Sequence, residues 1–161
     1  MIQTDRLILR ALTLDDVPVL QRLISPWPVI RMLAQSPHPY TLADAEAFAA
    51  HDAPWRFAID RDGLMGVVEI SDHLGYWLGQ PFWGRGYMTE AAAALIDSFF
   101  TSTATADIAS GAFADNPGSY RVLEKLGFVA TGTSQVHCVS RGEAVAHTDM
   151  TLTYAAWRAR T

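Results

Sequence analysis

The chain has 161 residues, half of them hydrophobic and 18% charged, with a formal net charge of -5. That is enough chain for one domain with a real core, and its apolar content argues against disorder. The acidic balance gives no reason to expect the basic face of a nucleic-acid binder, and no stretch approaches the ~20 apolar residues of a membrane span.

The opening "MIQTDRLILR" carries charges at Asp5, Arg6 and Arg10 and lacks the unbroken apolar core of a signal or anchor, which points to a cytoplasmic protein. One cysteine, Cys138, rules out an internal disulfide and suits a reducing compartment. Its neighbour His137 would point to the opposite face of a strand, so a thiol–imidazole pair is not expected. Residues 6 to 12, "RLILRAL", read as a strand. "TLDDVPVLQRLI" follows as a helix capped by Thr13, with Asp15 and Asp16 in its first turn. The stretch 25 to 41, broken by four prolines, reads as a loop with at most a short helix. "TLADAEAFAA" repeats the capped helical pattern.

"WRFAID" and "LMGVVEI" are strands joined at "RDG", a hairpin signal, and "HLGYWLG" is a third. Beyond it Met88, Ala91, Ala92, Leu95, Ile96 and Phe99 recur on one face of a 3.6-residue period, which predicts a long helix. "ADIASGAF" is a further strand. "NPGSYRVLEKLG" is a helix capped by Asn116, begun by Pro117 and ended at Gly127. "FVATGTSQVHCV" and "AVAHTDMTLTY" close the chain as an antiparallel pair. The order β-α-α-β-β-β-α-β-α-β-β alternates only in part. It predicts an α+β fold, a mixed and mostly antiparallel sheet with helices on both faces, in one domain spanning 1 to 161.

Between the third strand and the long helix lies "GQPFWGRGYMTE". A strand that runs into glycines and then a helix offers unpaired N–H groups and the positive end of a dipole to an anion. Gly84 and Gly86 let a phosphate approach the backbone, and Arg85 adds charge. The Gly-Lys of a nucleotide-triphosphate loop and the third glycine of a dinucleotide fingerprint are both missing. A plain tight turn is the bland alternative.

"GYWLGQPFWGRGYMTEA" followed by "NPGSYRVLEKLGF" resembles the GNAT superfamily of acyl-CoA-dependent N-acetyltransferases. The likeness is greatest to the branch of ribosomal-protein N-terminal (RimJ/RimL-type) acetyltransferases, and "TDRLILRALTLDD", "SPHPYTLADAEAF" and "SRGEAVAHTDMTLT" extend it along the chain. The resemblance implies a sheet splayed at the coenzyme site. It gives the amides of Gly84, Arg85, Gly86, Tyr87, Met88 and Thr89 to the pyrophosphate of acetyl-CoA, and the strand around Trp77 and Leu78 to the pantetheine arm. Asn116 and Ser119 match its second motif, Ser119 as coenzyme contact and hydrogen-bond donor to the sulfur. Pro81 stands where the family loop usually begins with Arg or Gln, which removes one donor. Leu123 stands where many members carry an acid tyrosine, so Ser119, or second to it Tyr120, must serve if any side chain does.

For the base the family often places a glutamate two residues before the glycine of "GYW"; here it is His73, with Glu69 the second candidate and a water beside a solvated turn histidine the bland alternative. Histidine's reference pKa of ~6.5 leaves it able to accept a proton at pH 7, and suits an α-amine of ~7.7–8.0 better than a lysine of ~10.4. The expected reaction is acetyl transfer from acetyl-CoA to a primary amine by direct attack in a ternary complex. The acceptor is a protein or peptide N-terminus, or else a small amine such as an antibiotic or metabolite. A coenzyme-binding sensor without chemistry is the reading from another class. His38, His51, His137 and His147 show no metal-ligand spacing, so no metal is expected. The family's closing strand pair often joins partners into homodimers. The 25–41 stretch is expected to wall the substrate cleft.

Overall fold

The computed structural model describes residues 1–103 and 107–160. Five strands form one sheet in the order β1 (Ile2–Gln3), β2 (Ile8–Arg10), β3 (Arg56–Asp60), β4 (Leu64–Ile70), β5 (Leu74–Leu78), every neighbour antiparallel. A second sheet has three strands in the order β6 (Ile108–Phe113), β8 (Glu143–Leu152), β7 (Val129–Cys138), also antiparallel. The helices are α1 (Val17–Ile24), α2 (Trp27–Ile30), α3 (Leu42–Ala50), α4 (Tyr87–Thr103), α5 (Pro117–Lys125) and α6 (Tyr154–Ala159).

The expected α+β architecture is observed, with refinements. The strand predicted over 6–12 is shorter and gains β1 as a partner, and α6 follows the last strand. Among the described residues every ladder is antiparallel, and a gap between β5 and β6 stands in place of the parallel neighbour of a mixed sheet. The strand predicted from Ala106 begins at Ile108, Ala106 itself lying outside the described residues.

Two cores flank the sheets. β4 is nearly all apolar because it is covered on both faces: Met65, Val68 and Ile70 join the core under α4, while Leu64 and Val67 join the core under α1 to α3. In α4 the predicted stripe is buried at Met88, Ala91, Ala92, Leu95 and Ile96, but the stripe turns onto Phe100, fully buried, and leaves Phe99 half-buried. Burying Phe100 removes an aromatic ring from water, about 2–3 kcal/mol. α3 starts with the predicted cap: Thr41 Oγ1 accepts from the Asp44 amide at 3.1 Å and Asp44 Oδ2 accepts from the Thr41 amide at 2.8 Å. Among the described residues no helix is long and apolar enough to cross a membrane.

Candidate active site

The gap between β5 and β6 organises the site. At one end Ser110 Oγ of β6 donates to the Leu74 carbonyl of β5 at 2.9 Å, which pins the two sheets together where β5 begins. At the other end β5 runs out into the glycine loop. Strand alternation determines which backbone groups face the gap. The amide of Gly79 donates to the Met65 carbonyl at 2.8 Å, so Gly75 and Trp77 share its orientation toward β4. Leu74, Tyr76 and Leu78 then turn their backbone groups toward β6. The Leu74 carbonyl is taken by Ser110, and the Leu78 carbonyl accepts from Trp83 Nε1 at 2.7 Å. The Tyr76 backbone and the Leu78 amide also turn toward the gap. The Leu78 side chain lies in the core under α4, and the Trp77 side chain lies on the other face, its indole Nε1 buried without a hydrogen-bond partner.

The glycine loop stands open at the mouth of the gap. Gly84 and Gly86 have φ of 75° and 79°, conformations that L side chains rarely adopt, and both are exposed, as is Arg85. The bond entering α4 runs from the Glu90 amide to the Gly86 carbonyl at 3.1 Å. The amides of Tyr87, Met88 and Thr89 ahead of it therefore have no partner inside the helix. The Tyr87 and Met88 side chains are buried, which leaves only their backbone to meet an anion.

What holds this loop was not read from the sequence. Glu90 accepts from Thr4 Oγ1 at 2.6 Å, from the Arg6 amide at 2.9 Å and from Arg6 Nε at 2.7 Å. Arg6 Nη1 also donates to the Arg85 carbonyl at 3.0 Å, and its guanidinium lies 4.5 Å from the centre of the Tyr87 ring. Arg61 donates to the Tyr87 hydroxyl from the far side. Burial would raise the Glu90 carboxyl, but the Thr4 and Arg6 donors outweigh it and hold the group below the ordinary range. The signal available was "TDR" at the N-terminus opposite "MTE" in the loop, a pairing that only the fold reveals.

On the floor of the gap, α5 presents its N-terminus. Asn116 Oδ1 accepts from the Ser119 amide at 3.2 Å, the expected cap. Ser119 Oγ lies 2.8 Å from the Tyr76 hydroxyl, which bridges β5 to α5 across the gap. Burial pushes the Tyr76 phenol up to about 12 against the Ser119 hydrogen bond, so it stays protonated at any working pH. Leu123, at the position of the missing tyrosine acid, is fully buried.

The opposite face, away from α4, carries the remaining candidates. His73 sits at the start of β5 with its side chain 51% exposed, its Nδ1 2.7 Å from Asp72 Oδ1. Its Nε2 lies beside Gly75, whose missing Cβ would stand 3.6 Å away. Glu69 is engaged with Arg56, which also donates to the Phe48 carbonyl and stacks on the Phe48 ring, so this carboxylate is already paired. The proline-rich segment closes one end of this face. Ile30, Arg31 and Ala34 supply carbonyls to Ser140, Arg141 and the Val139 amide of the β7–β8 turn, at 3.2, 2.7 and 2.9 Å. Cys138 is fully buried there. Pro26 joins Arg22, Leu23, Gln80 and Pro81 around an open cavity of about 390 Å³ at the α1 side of the loop.

A family model described as the acetyltransferase (GNAT) domain matches residues 6–129. The probable N-acetyltransferase YjcK of Bacillus subtilis (strain 168) is 33% identical over 88 residues, a match spanning 49% of this chain and 49% of that protein. The chain thus matches about half the length of that curated relative. The spermidine N-acetyltransferase of Vibrio cholerae, solved with CoA and spermine, superposes with a TM-score of 0.80 at 20% identity, covering 96% of this chain and 99% of the other. The ribosomal-protein-S5-alanine acetyltransferase of Vibrio fischeri does so at 0.80 and 19% identity, covering 96% and 97%. At such identities the likeness concerns the fold.

Proposed function

The chain belongs to the GNAT acetyltransferase family, and we propose that it transfers an acetyl group from acetyl-CoA to a primary amine by direct attack in a ternary complex. The observation that carries this reading is the gap between β5 and β6, with an open glycine loop at its mouth and unpaired strand backbone along its wall. The amides of Gly84 to Thr89 take the pyrophosphate, and the loss of a donor at Pro81 is offset by the helix N-terminus behind them. The pantetheine arm lies along β5 as an added strand would, on the Tyr76 backbone. Asn116 and Ser119 approach it from α5.

Acetyl-CoA, when bound, supplies the activated acyl group; the chain's own residues supply position and protons. Ser119 donates to the departing sulfur, its hydroxyl aligned by Tyr76. His73 meets the amine from the β5 wall through a nitrogen that accepts hydrogen, because Nδ1–H is directed at Asp72.

For the acceptor we propose a low-pKa amine, a protein or peptide N-terminus, in keeping with the histidine and with the branch the sequence resembles. The net charge of -5 draws cations of either kind. Spermidine, acted on by one structural neighbour, represents the small-amine alternative. The test is thiol release from acetyl-CoA with panels of N-terminal peptides, polyamines and aminoglycosides. Release with peptides alone is expected; release with polyamines alone would move the substrate class, and coenzyme binding with no release from any amine would favour a sensor.

A further inference from the structure

A second histidine–carboxylate pair stands on the other wall of the gap. His147 of β8 places Nδ1 2.8 Å from Asp149 Oδ1, and Ser134 Oγ of β7 donates to the same oxygen at 2.7 Å. The imidazole leans over β6 at Gly111. A Cβ built on Gly111 would lie 2.1 Å from His147 Cε1 and 2.6 Å from Nε2, so the ring occupies the space a side chain would fill. Phe113 supports it edge-on, ring centres 6.0 Å apart.

The position relative to the gap follows from register. Gly111 neighbours Ser110, which is bonded to Leu74, and Leu74 lies between His73 and Gly75. Ile108, Ala112, Leu74, Tyr76 and Leu78 pack on the α4 side. Gly111 and Phe113, like Gly75 and Trp77, therefore point to the opposite side. Both histidines thus stand on one face, near the pinned end of the gap, one over the glycine of each bordering strand.

With Nδ1–H given to a carboxylate, each imidazole keeps the lone pair of Nε2. A primary amine has two N–H bonds. Two acceptors, one from each wall, turn its lone pair into the gap, where the acyl group arrives.

We infer that His147, oriented by Asp149 and Ser134, is a second acceptor-side catalytic residue that takes the proton of the attacking amine, while His73 accepts its other N–H. The inference rests on the transferase reading proposed above. The N–C bond forms and the C–S bond breaks with its electron pair on sulfur. The amine proton goes to His147 Nε2, and sulfur takes a proton from Ser119 Oγ, which is restored from solvent. His147 is the better held of the two, 19% exposed against 51%; the carboxylates are alike in accepting from a serine hydroxyl besides the imidazole, Asp149 from Ser134 and Asp72 from Ser71. The Ser134 hydroxyl, then His147, hold Asp149 below the ordinary carboxylate range, so it stays an anion beneath the ring. The neighbours that β7 and β6 place at the ring, Ser134, Gly111 and Phe113, are uncharged. The guanidinium of Arg141, 5.2 Å from the Phe113 ring, is bound to Asp115.

The test is the pH profile of kcat/KM for thiol release with an amine the wild type acetylates, beside calorimetry with CoA. His147→Gln should lower kcat/KM roughly 100-fold with CoA affinity unchanged, and His137→Gln, an exposed histidine of β7, should match wild type. Asp149→Asn removes the anion that stabilises the imidazolium, so the acid limb should move to lower pH, a change that a purely structural role would not produce. Wild-type kcat/KM in His147→Gln overturns the inference. If that variant does not fold, an unmoved acid limb in Asp149→Asn overturns it instead. A wild type that binds CoA but releases no thiol with any amine overturns the transferase reading, and is seen before any variant is made.

Discussion

Arg6 and Glu90 are 84 residues apart and hold one loop between them. The sequence identified the glycines of that loop from their spacing, since only a residue without Cβ suits the positive φ found at Gly84 and Gly86. It was silent on the bolt, because an ion pair between distant segments leaves no periodic trace. The bond from Tyr76 to Ser119 was hidden likewise: on a strand the residue reads as one more alternating aromatic, and its hydroxyl acquires meaning only where α5 brings Ser119 to it. The bolt makes a prediction with a definite sign. A carboxyl whose folded pKa is depressed contributes stability above its unfolded value of ~4.3, lost as pH falls through the folded value. Glu90→Gln should therefore melt below wild type at pH 7, with the difference closing toward pH 3 in thermal unfolding followed by circular dichroism. The same variant should weaken CoA binding roughly tenfold, about 1.4 kcal/mol, as the loop loses its anchor.

Elements with strong local signatures were legible. α5 carries cap, proline and terminal glycine within twelve residues of sequence, and it forms over Pro117–Lys125 as expected. Here Asn116→Ala should cost about 1 kcal/mol, read as a fall in melting temperature of roughly 3 °C, because the Ser119 amide loses its acceptor. The helix α6 was not legible. Its six residues are too few for a period, and what fixes them is tertiary: Tyr154 and Trp157 stack on each other and lie against Phe100, while Trp157 Nε1 donates to Asp97 Oδ1 at 2.8 Å. β1 escaped for the same reason, two residues paired only because β2 lies beside them.

At the scale of the whole molecule, the proposed function rests on two sheets that the Ser110–Leu74 hydrogen bond joins and that part along a seam. Sequence pattern placed the strands, and the motif resemblance implied a splay with free backbone near Leu78, but neither told the orientation of each backbone group along β5. That depends on the register of β4 against β5, and on Ser110 and Trp83 capping the carbonyls of Leu74 and Leu78. The proposed acceptor face was hidden more deeply: His73 was visible beside a motif, whereas His147 lies in the closing strand and comes to the border of the gap by leaning over Gly111. The seam is tested most directly by titrating acetyl-CoA into the 15N-labelled protein and following backbone amides by NMR. The amides of Gly84 to Thr89, Tyr76 and Leu78 should shift together and saturate with one binding constant. Saturable binding that leaves those amides in place, or no binding at all, would contradict the assignment of the seam to the coenzyme.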